Sequence, residues 1–368
     1  DNLERLGNVN TSQMSDICGA DPIYYYPNKW EYTFSTKEWH TVPSTEKSED
    51  SWGALGFHVP GLFDKVLNIE HCALQRDPSN AIRIAVRDYA KREGLALYDI
   101  RNHTGFLRNL VIRNTSTNEW MVIVIVAEMI SEKLFPLLDF IHEQFPEITS
   151  LQYIVNSKMN DSYTDQDVIT YYGNAFIEEE MPGYNGASPL RFRINPKSFY
   201  QTNSEQAYRL YSHVADFASL KGDETVYDLY TGTGTIAQFV ARMCKKVVGI
   251  EYVEEAIADA KENARHNNLE NTEFFAGDMA KVLTAEFIAE HGTPDIVITD
   301  PPRAGMHEKV IEQLLAAAPR KIVYVSCNVA TLARDMKILN ENGFKTVFIQ
   351  PADLFPNTYH VETIALFE

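Results

Sequence analysis

The chain has 368 residues, 45% of them hydrophobic and 23% charged, a composition typical of globular proteins and a length sufficient for two domains. A net charge of -18 excludes a simple basic protein that coats nucleic acid, although it permits a local basic site. The longest apolar run, residues 121–127, is too short to cross a bilayer, so we expect no membrane association.

The first half of the chain mixes short strands and helices without regular alternation. A helix is predicted over residues 1–6, and because no Met precedes it we expect further residues upstream. The other predicted elements are strands at 30–35, 107–113 and 120–127 and helices at 78–93 and 131–144. This pattern indicates an α+β domain with an antiparallel sheet, and a connector rich in Gly, Pro and Asn at residues 178–189 ends it.

After about residue 204, helices and strands alternate. The predicted helices are 204–219, 235–244, 253–267, one ending near 291, 307–317 and 330–342, and the predicted strands are 224–230, 246–251, 272–277, 295–299, 321–326, 345–350 and 361–367. Regular alternation predicts an α/β domain with a parallel, doubly wound sheet. Because no helix separates the last two strands, the final strand is expected to run antiparallel.

A glycine-rich loop follows the first strand of this second half, in the stretch DLYTGTGTIA. Gly232 and Gly234 satisfy the loose nucleotide-binding pattern GxGxxA, which a nicotinamide enzyme would also satisfy. Two features favour S-adenosylmethionine. Asp228 stands four residues before Gly232, as in class I methyltransferases, and a DPPR segment beginning at Asp300 follows the fourth strand. We therefore predict that this loop binds S-adenosylmethionine.

Two further acids follow strands of the same sheet. Glu251 ends the second strand, about 19 residues after Gly232, where a carboxylate can accept hydrogen bonds from ribose hydroxyls. Asp278 follows the third strand and is placed to meet the adenine amino group. The alternatives are a solvated loop for Glu251 and a helix cap for Asp278.

A thiol and a carboxylate are predicted to meet at this edge. Cys327, in the stretch YVSCN, and Asp300 both lie just past the carboxyl ends of consecutive parallel strands. The antiparallel last strand starts at the same edge with HVET, which brings Glu362 near Cys327. A helix starts near Val329, and its dipole is expected to favour the thiolate. The alternative is an inert buried cysteine.

This pair of groups suits methylation of uracil at C5. A thiolate that adds to C6 makes C5 nucleophilic, and a base must then remove the C5 proton so that the thiol leaves. Cytosine C5 methylation is a second possibility, but the paired positions of Cys327 and Glu362 favour uracil. Arg303 stands where amine-methylating enzymes usually carry an aromatic residue. A non-catalytic RNA-binding module is the alternative outside enzymes.

These motifs resemble the RNA (uracil-5-)-methyltransferase family, which includes ribosomal and transfer RNA enzymes. The matching stretches are FYQTN, DLYTGTGTI, DPPRAG, SCN and HVET. The resemblance implies that Cys327 is the nucleophile, that Glu362 is the base, and that the following residues line the cofactor and target-base site: Gln201, Tyr230, Gly232, Gly234, Thr235, Glu251, Asp278 and Asp300. Thr231 and Val329 depart from the family pattern, which has cysteine and proline there.

The resemblance also implies the domain organisation. Residues 1–27 form an arm expected to pack on the catalytic domain, 28–182 form the central domain, and 183–368 form the catalytic domain. Many relatives carry an upstream β-barrel and a four-cysteine iron–sulfur motif. Cys72 resembles a remaining cluster ligand without its partners, so we expect no cluster and no other metal. Four cysteines without metal-ligand spacing also indicate a reducing compartment, which we expect to be the cytoplasm.

The target uracil must leave any base stack to reach the thiol, and phosphate binding needs positive charge. The expected RNA contacts are Arg191, Arg193, Lys197, Phe199 and Arg303. A solvated face with core aromatics is the alternative for the first four. We expect a uridine in structured RNA as substrate, in 23S ribosomal RNA before transfer RNA. No obligate protein partner is evident from the sequence.

Overall fold

The computed structural model describes residues 2–41 and 52–368 and forms two compact units. Tyr24–Glu179 and Ile194–Lys197 make up the central unit, and the carboxyl unit comprises the described residues up to Ile23 with Glu180–Arg193 and Ser198–Glu368. The first helix, α1, is Asn2–Gly7. Asp1, where that helix was predicted to start, lies outside the described residues.

Within its described residues, the central unit is an eight-stranded sheet with two helices. The strands are β1 (Lys29–Ser35), β2 (Glu38–Trp39), β3 (Ala54–Val59), β4 (Leu62–Leu67), β5 (Leu107–Asn114), β6 (Trp120–Val126), β7 (Ile148–Val155) and β8 (Val168–Gly173), and the helices are α2 (Ser79–Arg92) and α3 (Ser131–Gln144). Their order is β2-β4-β3-β1-β5-β6-β7-β8. Every residue of β5 and β6 is buried, because these strands lie in the middle of the sheet.

The prediction of an antiparallel sheet needs correction in two places. β2 pairs with β4 and β6 pairs with β7 in parallel, while the other strand pairs are antiparallel. β6 and β7 are parallel because α3 connects them, and a helical crossover returns the chain in its original direction. A separate two-stranded sheet follows, made of β9 (Ile177–Met181) and β10 (Leu190–Ile194).

A seven-stranded sheet forms the framework of the carboxyl unit. Its elements are α4 (Ser204–Ala218), β11 (Thr225–Leu229), α5 (Thr235–Ala241), β12 (Lys246–Glu251), α6 (Glu254–His266), β13 (Thr272–Ala276), α7 (Met279–Val282), α8 (Ala285–His291), β14 (Ile296–Thr299), α9 (Glu308–Ala317), β15 (Lys321–Ser326), α10 (Val329–Glu341), β16 (Thr346–Ala352) and β17 (Glu362–Phe367). The strand order is β13-β12-β11-β14-β15-β17-β16. The first five strands are parallel and β17 is antiparallel to both neighbours, so the predicted doubly wound sheet and its reversed last strand are confirmed.

The order of the strands reverses between β11 and β14, which is where ligands bind in such sheets. Side-chain caps start the helices at this edge, with Asn203 before α4, Asp278 before α7 and Asn328 before α10. Helix α1 packs on α10 and contributes Leu3 to the core of this unit. In the described part of the chain, no helix has the length and apolar character needed to traverse a membrane.

Candidate active site

The loop between β11 and α5 has a backbone shaped for close approach of a ligand. Tyr230, Gly232 and Gly234 have positive φ angles of 62°, 56° and 74°. A Cβ atom on Gly232 would meet nothing within 4 Å, whereas one on Gly234 would touch ring carbons of Phe274 at 3.0 Å. The loop therefore packs tightly at Gly234 and faces open space at Gly232.

Asp228, near the end of β11, fixes this loop. Its Oδ2 accepts hydrogen bonds from the Thr231 hydroxyl at 2.5 Å and the Ala237 N–H at 3.0 Å. Thr231 thus makes a stronger bond than the cysteine expected there would make. Burial raises the pKa of Asp228 to about 7. Its buried Oδ1 has no partner among the described residues, and this acceptor beside an open loop fits the cationic amino-acid part of S-adenosylmethionine.

Glu251, at the end of β12, holds the same loop from the neighbouring strand. Its Oε2 accepts a hydrogen bond from the Gly232 N–H at 3.1 Å, and its Oε1 accepts from the N–H groups of Tyr252 and Val253 at 2.8 and 3.1 Å. An ionised carboxylate offers about four acceptor positions, so room remains for a ribose hydroxyl. The contact with ribose stays a prediction.

Asp278 matches the helix-cap alternative. Its Oδ1 accepts a hydrogen bond from the Ala280 N–H at 3.1 Å, and its Oδ2 lies 3.4 Å from Lys281 Nζ. It follows β13 at the same sheet edge as Glu251. Capping does not prevent a contact with adenine, because a carboxylate has further lone pairs that can accept hydrogen bonds. That contact stays a prediction.

Gln201 and Thr235 are linked through Tyr211, a residue that the sequence analysis missed. The Gln201 side chain hydrogen-bonds to Tyr211, whose hydroxyl lies 3.1 Å from Thr235 Oγ1. Tyr211 is only 2% exposed, and burial raises the pKa of its hydroxyl. In the sequence it occupies an apolar position of α4, where a tyrosine is interpreted as a core residue.

The register of two strands places Cys327 beside Glu362. β15 and β17 are antiparallel, and Ser326 lies opposite Thr363. One step beyond this pair, Cys327 continues the first strand and Glu362 precedes Thr363 on the second, so the two side chains are neighbours. Asp300 follows β14, which adjoins β15. The structure thus brings these three residues to one edge, while their chemical roles stay predictions.

These groups change one another's ionisation. Burial raises the pKa of Glu362 to about 7, and the positive charge of Arg303 opposes the shift. Burial first, and then the charge of Glu362, hold the pKa of Asp300 well above its ordinary value. Burial also raises the pKa of the Cys327 thiol, and the carboxylates of Glu362 and Asp300 add to this effect. The net shift of the Cys327 pKa in the free protein is therefore opposite in direction to the effect expected of the helix end.

Arg303, which opposes the pKa shifts of Glu362 and Cys327, is bonded through its backbone to the segment after Cys327. Asn328 Nδ2 donates a hydrogen bond to the Arg303 carbonyl at 2.9 Å, and the Thr331 hydroxyl donates to the same oxygen at 3.2 Å. Asn328 Oδ1 accepts from the Ala330 N–H at 3.1 Å and so caps α10. Asn328 thus connects two elements: the loop that carries Arg303, and helix α10, which follows the thiol.

Asp335 anchors the other end of this loop and was also missed. It is fully buried, and its Oδ2 accepts hydrogen bonds from the Met306 N–H at 2.9 Å and the Tyr324 hydroxyl at 2.7 Å. Its Oδ1 lies 2.6 Å from Arg334 Nη2. The sequence did contain a signal for this role, because Asp335 is an acid among the apolar positions on the inner face of α10.

The basic residues expected to contact RNA carry less free charge than predicted. Arg191 pairs with Glu180 at 3.2 Å, and Arg193 pairs with Glu262 at 2.8 Å. Phe199 is 65% exposed. Lys197 is exposed as well and belongs to the central unit. Neighbouring acids thus compensate both arginines of this stretch, and the RNA contacts stay predictions.

Cys327 opens onto a cavity of about 660 Å³ in the carboxyl unit. Arg303 and His360 lie on its wall beside the thiol, and Leu3 and Met14 line another part.

Cys72 is a free, half-buried thiol of the central unit. Over residues 2–41 and 52–368, no three or more His, Cys, Asp or Glu side chains are grouped so as to hold a metal ion.

Comparisons with known proteins identify the family. Residues 167–368 match the model of the tRNA (uracil-5-)-methyltransferase family. The chain is 53% identical to an uncharacterized RNA methyltransferase of Bacteroides thetaiotaomicron and 50% identical to one of Porphyromonas gingivalis, each over its whole length and covering 81% and 79% of those proteins.

The fold also matches a solved structure. A tRNA (uracil-54, C5)-methyltransferase from Pyrococcus abyssi, in complex with S-adenosyl-L-homocysteine, superposes with a TM-score of 0.78 at 27% identity, over 100% of this chain and 81% of that one. The chain belongs to the tRNA (uracil-5-)-methyltransferase family. It is an S-adenosylmethionine-dependent enzyme that methylates C5 of uracil in RNA.

Proposed function

We propose that this enzyme methylates a uridine of structured RNA with Cys327 as nucleophile and Glu362 as base. The observation that carries the proposal is the register of β15 and β17, which makes a thiol and a carboxyl neighbours at the ligand-binding edge of the sheet.

The covalent steps follow from these two groups. Cys327 loses its proton and its sulfur adds to C6 of uracil, so the C5–C6 π electrons move towards C5. S-adenosylmethionine supplies the methyl group, which C5 takes from a sulfonium centre. The Glu362 carboxylate then removes the C5 proton. The C–H electron pair re-forms the C5–C6 double bond and expels the sulfur of Cys327.

The environment prepares Glu362 for this task. A glutamate with a pKa of about 7 is a stronger base than a solvated one, and near neutral pH a large fraction is still ionised. Arg303 opposes the pKa shifts of both Glu362 and Cys327. We infer that it stabilises the thiolate during addition, in addition to contacting RNA.

The cofactor residues proposed here lie at the switch point between β11 and β14 or next to it. They are Gln201, Tyr230, Gly232, Gly234, Thr235, Glu251, Asp278 and Asp300. The proposed RNA contacts Arg191, Arg193, Lys197 and Phe199 would add affinity. We further propose functional divisions at 1–27, 28–182 and 183–368 and a cytoplasmic location, the latter supported by four free thiols.

Two RNA classes are candidates. We propose 23S ribosomal RNA as the first, since the resembled family includes ribosomal RNA enzymes, and the similar Pyrococcus abyssi structure, whose name specifies uracil 54 of tRNA, supports transfer RNA as the second. Both demand that the uridine leave its stack to reach Cys327.

A covalent trap tests chemistry and substrate together. The protein, S-adenosylmethionine and RNA containing 5-fluorouridine are mixed, with ribosomal and transfer RNA in separate reactions. Fluorine cannot leave C5 as a proton, so a protein–RNA adduct that survives denaturation should accumulate. Cys327→Ala should abolish the adduct and methyl transfer, whereas Cys72→Ala, which removes another half-buried thiol, should change neither. An adduct that persists in Cys327→Ala, or one formed only with 5-fluorocytidine, would contradict the proposal.

A further inference from the structure

We propose that Tyr359, His360 and Arg303 form a stacking platform for the nucleobase adjacent to the target uridine. The inference rests on the proposed function and extends it to a second nucleotide subsite. It concerns two side chains, Tyr359 and His360, to which the uracil chemistry assigns no task.

The three planar groups follow one another along the cavity wall. The rings of Tyr359 and His360 have centroids 4.2 Å apart and an interplanar angle of 41°. Arg303 Nη2 lies 3.3 Å from both Nδ1 and Nε2 of His360, so the guanidinium covers the imidazole. Phe355 supports the imidazole with its ring nearly perpendicular, at 6.3 Å and 78°. Tyr359 is therefore the outer end of a tilted stack, in which its ring and the imidazole meet at 41° and are not parallel.

Tyr359 is much more exposed than packing alone would produce. It is 89% exposed, and its hydroxyl makes no hydrogen bond within the described part of the chain. Its ring contacts the His360 ring on one side, and its high exposure leaves the other face open to a partner. Large exposed aromatic surfaces next to a functional cavity mark contact sites.

The cavity has room for more than the target base. Its volume of about 660 Å³ lies within the range of about 300–1,000 Å³ that holds ligands much larger than one pyrimidine ring. Cys327, Arg303, His360 and Tyr359 all line it. The cofactor-loop residues Gly232 and Glu251 are not part of this lining, so the space beside the stack is distinct from the cofactor loop.

An unstacked RNA base is the occupant that fits this chemistry. Pulling the target uridine out of its stack leaves the adjacent bases without a neighbour on one side. Aromatic rings and guanidinium planes replace such a neighbour without reading its sequence, with about 1–3 kcal/mol gained per stacked base. The positive charge of Arg303 at the inner end of the stack also suits a polyanion. The platform therefore holds open the RNA that delivers uridine to Cys327.

The test compares ring removal with ring retention. Tyr359→Ala should weaken binding of RNA about 5- to 150-fold, as expected for the loss of one stacked base, whereas Tyr359→Phe should stay within about threefold of wild type. The effect should be in KM, with kcat at saturating RNA and the affinity for S-adenosylmethionine nearly unchanged. Tyr172→Ala is a matched control, because Tyr172 is a 46% exposed tyrosine of the central unit that stacks on His142 with centroids 3.7 Å apart.

A defined probe shows which base is stacked. We would use a short single-stranded RNA with one uridine flanked by 2-aminopurine, whose fluorescence falls on stacking, and versions with an abasic site on either side. Tyr359→Ala should lose quenching, and its binding defect should vanish on the RNA that lacks the stacked base. Equal affinity of Tyr359→Ala and wild type, or a defect that persists on both abasic RNAs, would overturn the platform. Because binding is read without turnover, absence of methylation in the wild type would refute only the proposed function.

Discussion

Replacing Glu362 with glutamine should stabilise the protein while slowing its reaction. Glu362 is 6% exposed, and its pKa rises on folding from 4.5 to about 7. The folded state therefore binds the proton more tightly than the unfolded state, so stability is fully present below about pH 4.5 and declines as pH rises towards 7. At about 1.36 kcal/mol per pKa unit, the ionised side chain costs about 3 kcal/mol at pH 8.

Glutamine keeps the shape of the side chain and never ionises. The free energy of unfolding of Glu362→Gln, measured with urea from about pH 5 to about pH 9, should therefore exceed that of wild type by an amount that grows with pH to about 3 kcal/mol. Relief of Asp300, whose pKa the charge of Glu362 raises, adds to this gain. Glu255→Gln, at an exposed glutamate of α6, should show no such growth.

The same variant should also slow the reaction at its final step. Removal of a positioned base typically costs about 10²–10⁴ in rate, and the Cys327–RNA adduct should accumulate on ordinary uridine RNA because elimination stalls. If the difference in free energy of unfolding does not change with pH, then ionisation of buried Glu362 does not destabilise the folded protein, and this reasoning is refuted. Turnover at the wild-type rate would refute its role as base.

Two further variants test how the surroundings support Cys327 and Glu362. Arg303→Met should raise the pKa of both groups and move the rise of kcat with pH about 1 unit or more to higher pH, whereas Arg303→Lys should leave its position nearly unchanged. Asp335→Asn should lower the free energy of unfolding by about 1–3 kcal/mol, because it disturbs buried bonds from Met306 and Tyr324, and kcat should fall as the Arg303 loop loosens. Unchanged unfolding in urea would contradict that anchoring role.

The meeting of Cys327 and Glu362 was predictable because it depends on strand direction alone. Parallel strands end at one edge, and an antiparallel last strand begins there, so residues 35 positions apart become neighbours without any knowledge of side-chain packing. The glycine loop was also predictable from local sequence. Its backbone has positive φ angles at positions 232 and 234, and glycine adopts such angles without steric cost.

Features that depend on tertiary partners were not predictable. The parallel pairing of β6 with β7 depends on which sheet position the chain occupies after α3. The acids that pair with Arg191 and Arg193 lie in other segments, so the basic stretch looked more positive than it is. Helix position alone suggested a thiolate at Cys327, because the opposing effects of burial and two carboxylates appear only in three dimensions.

The electrostatics of the site impose an order on its proton transfers. Near neutral pH, Glu362 is partly ionised while Cys327, whose pKa is raised above its ordinary value, keeps its proton. If Glu362 accepted the thiol proton and kept it, no carboxylate would remain to take the C5 proton at the end of the reaction. The thiol proton must therefore pass on before elimination, and the cavity beside Cys327 offers solvent as its acceptor. Addition thus depends on an open cavity, which is consistent with a platform that binds RNA at the cavity wall and leaves the thiol in contact with water until the uridine enters.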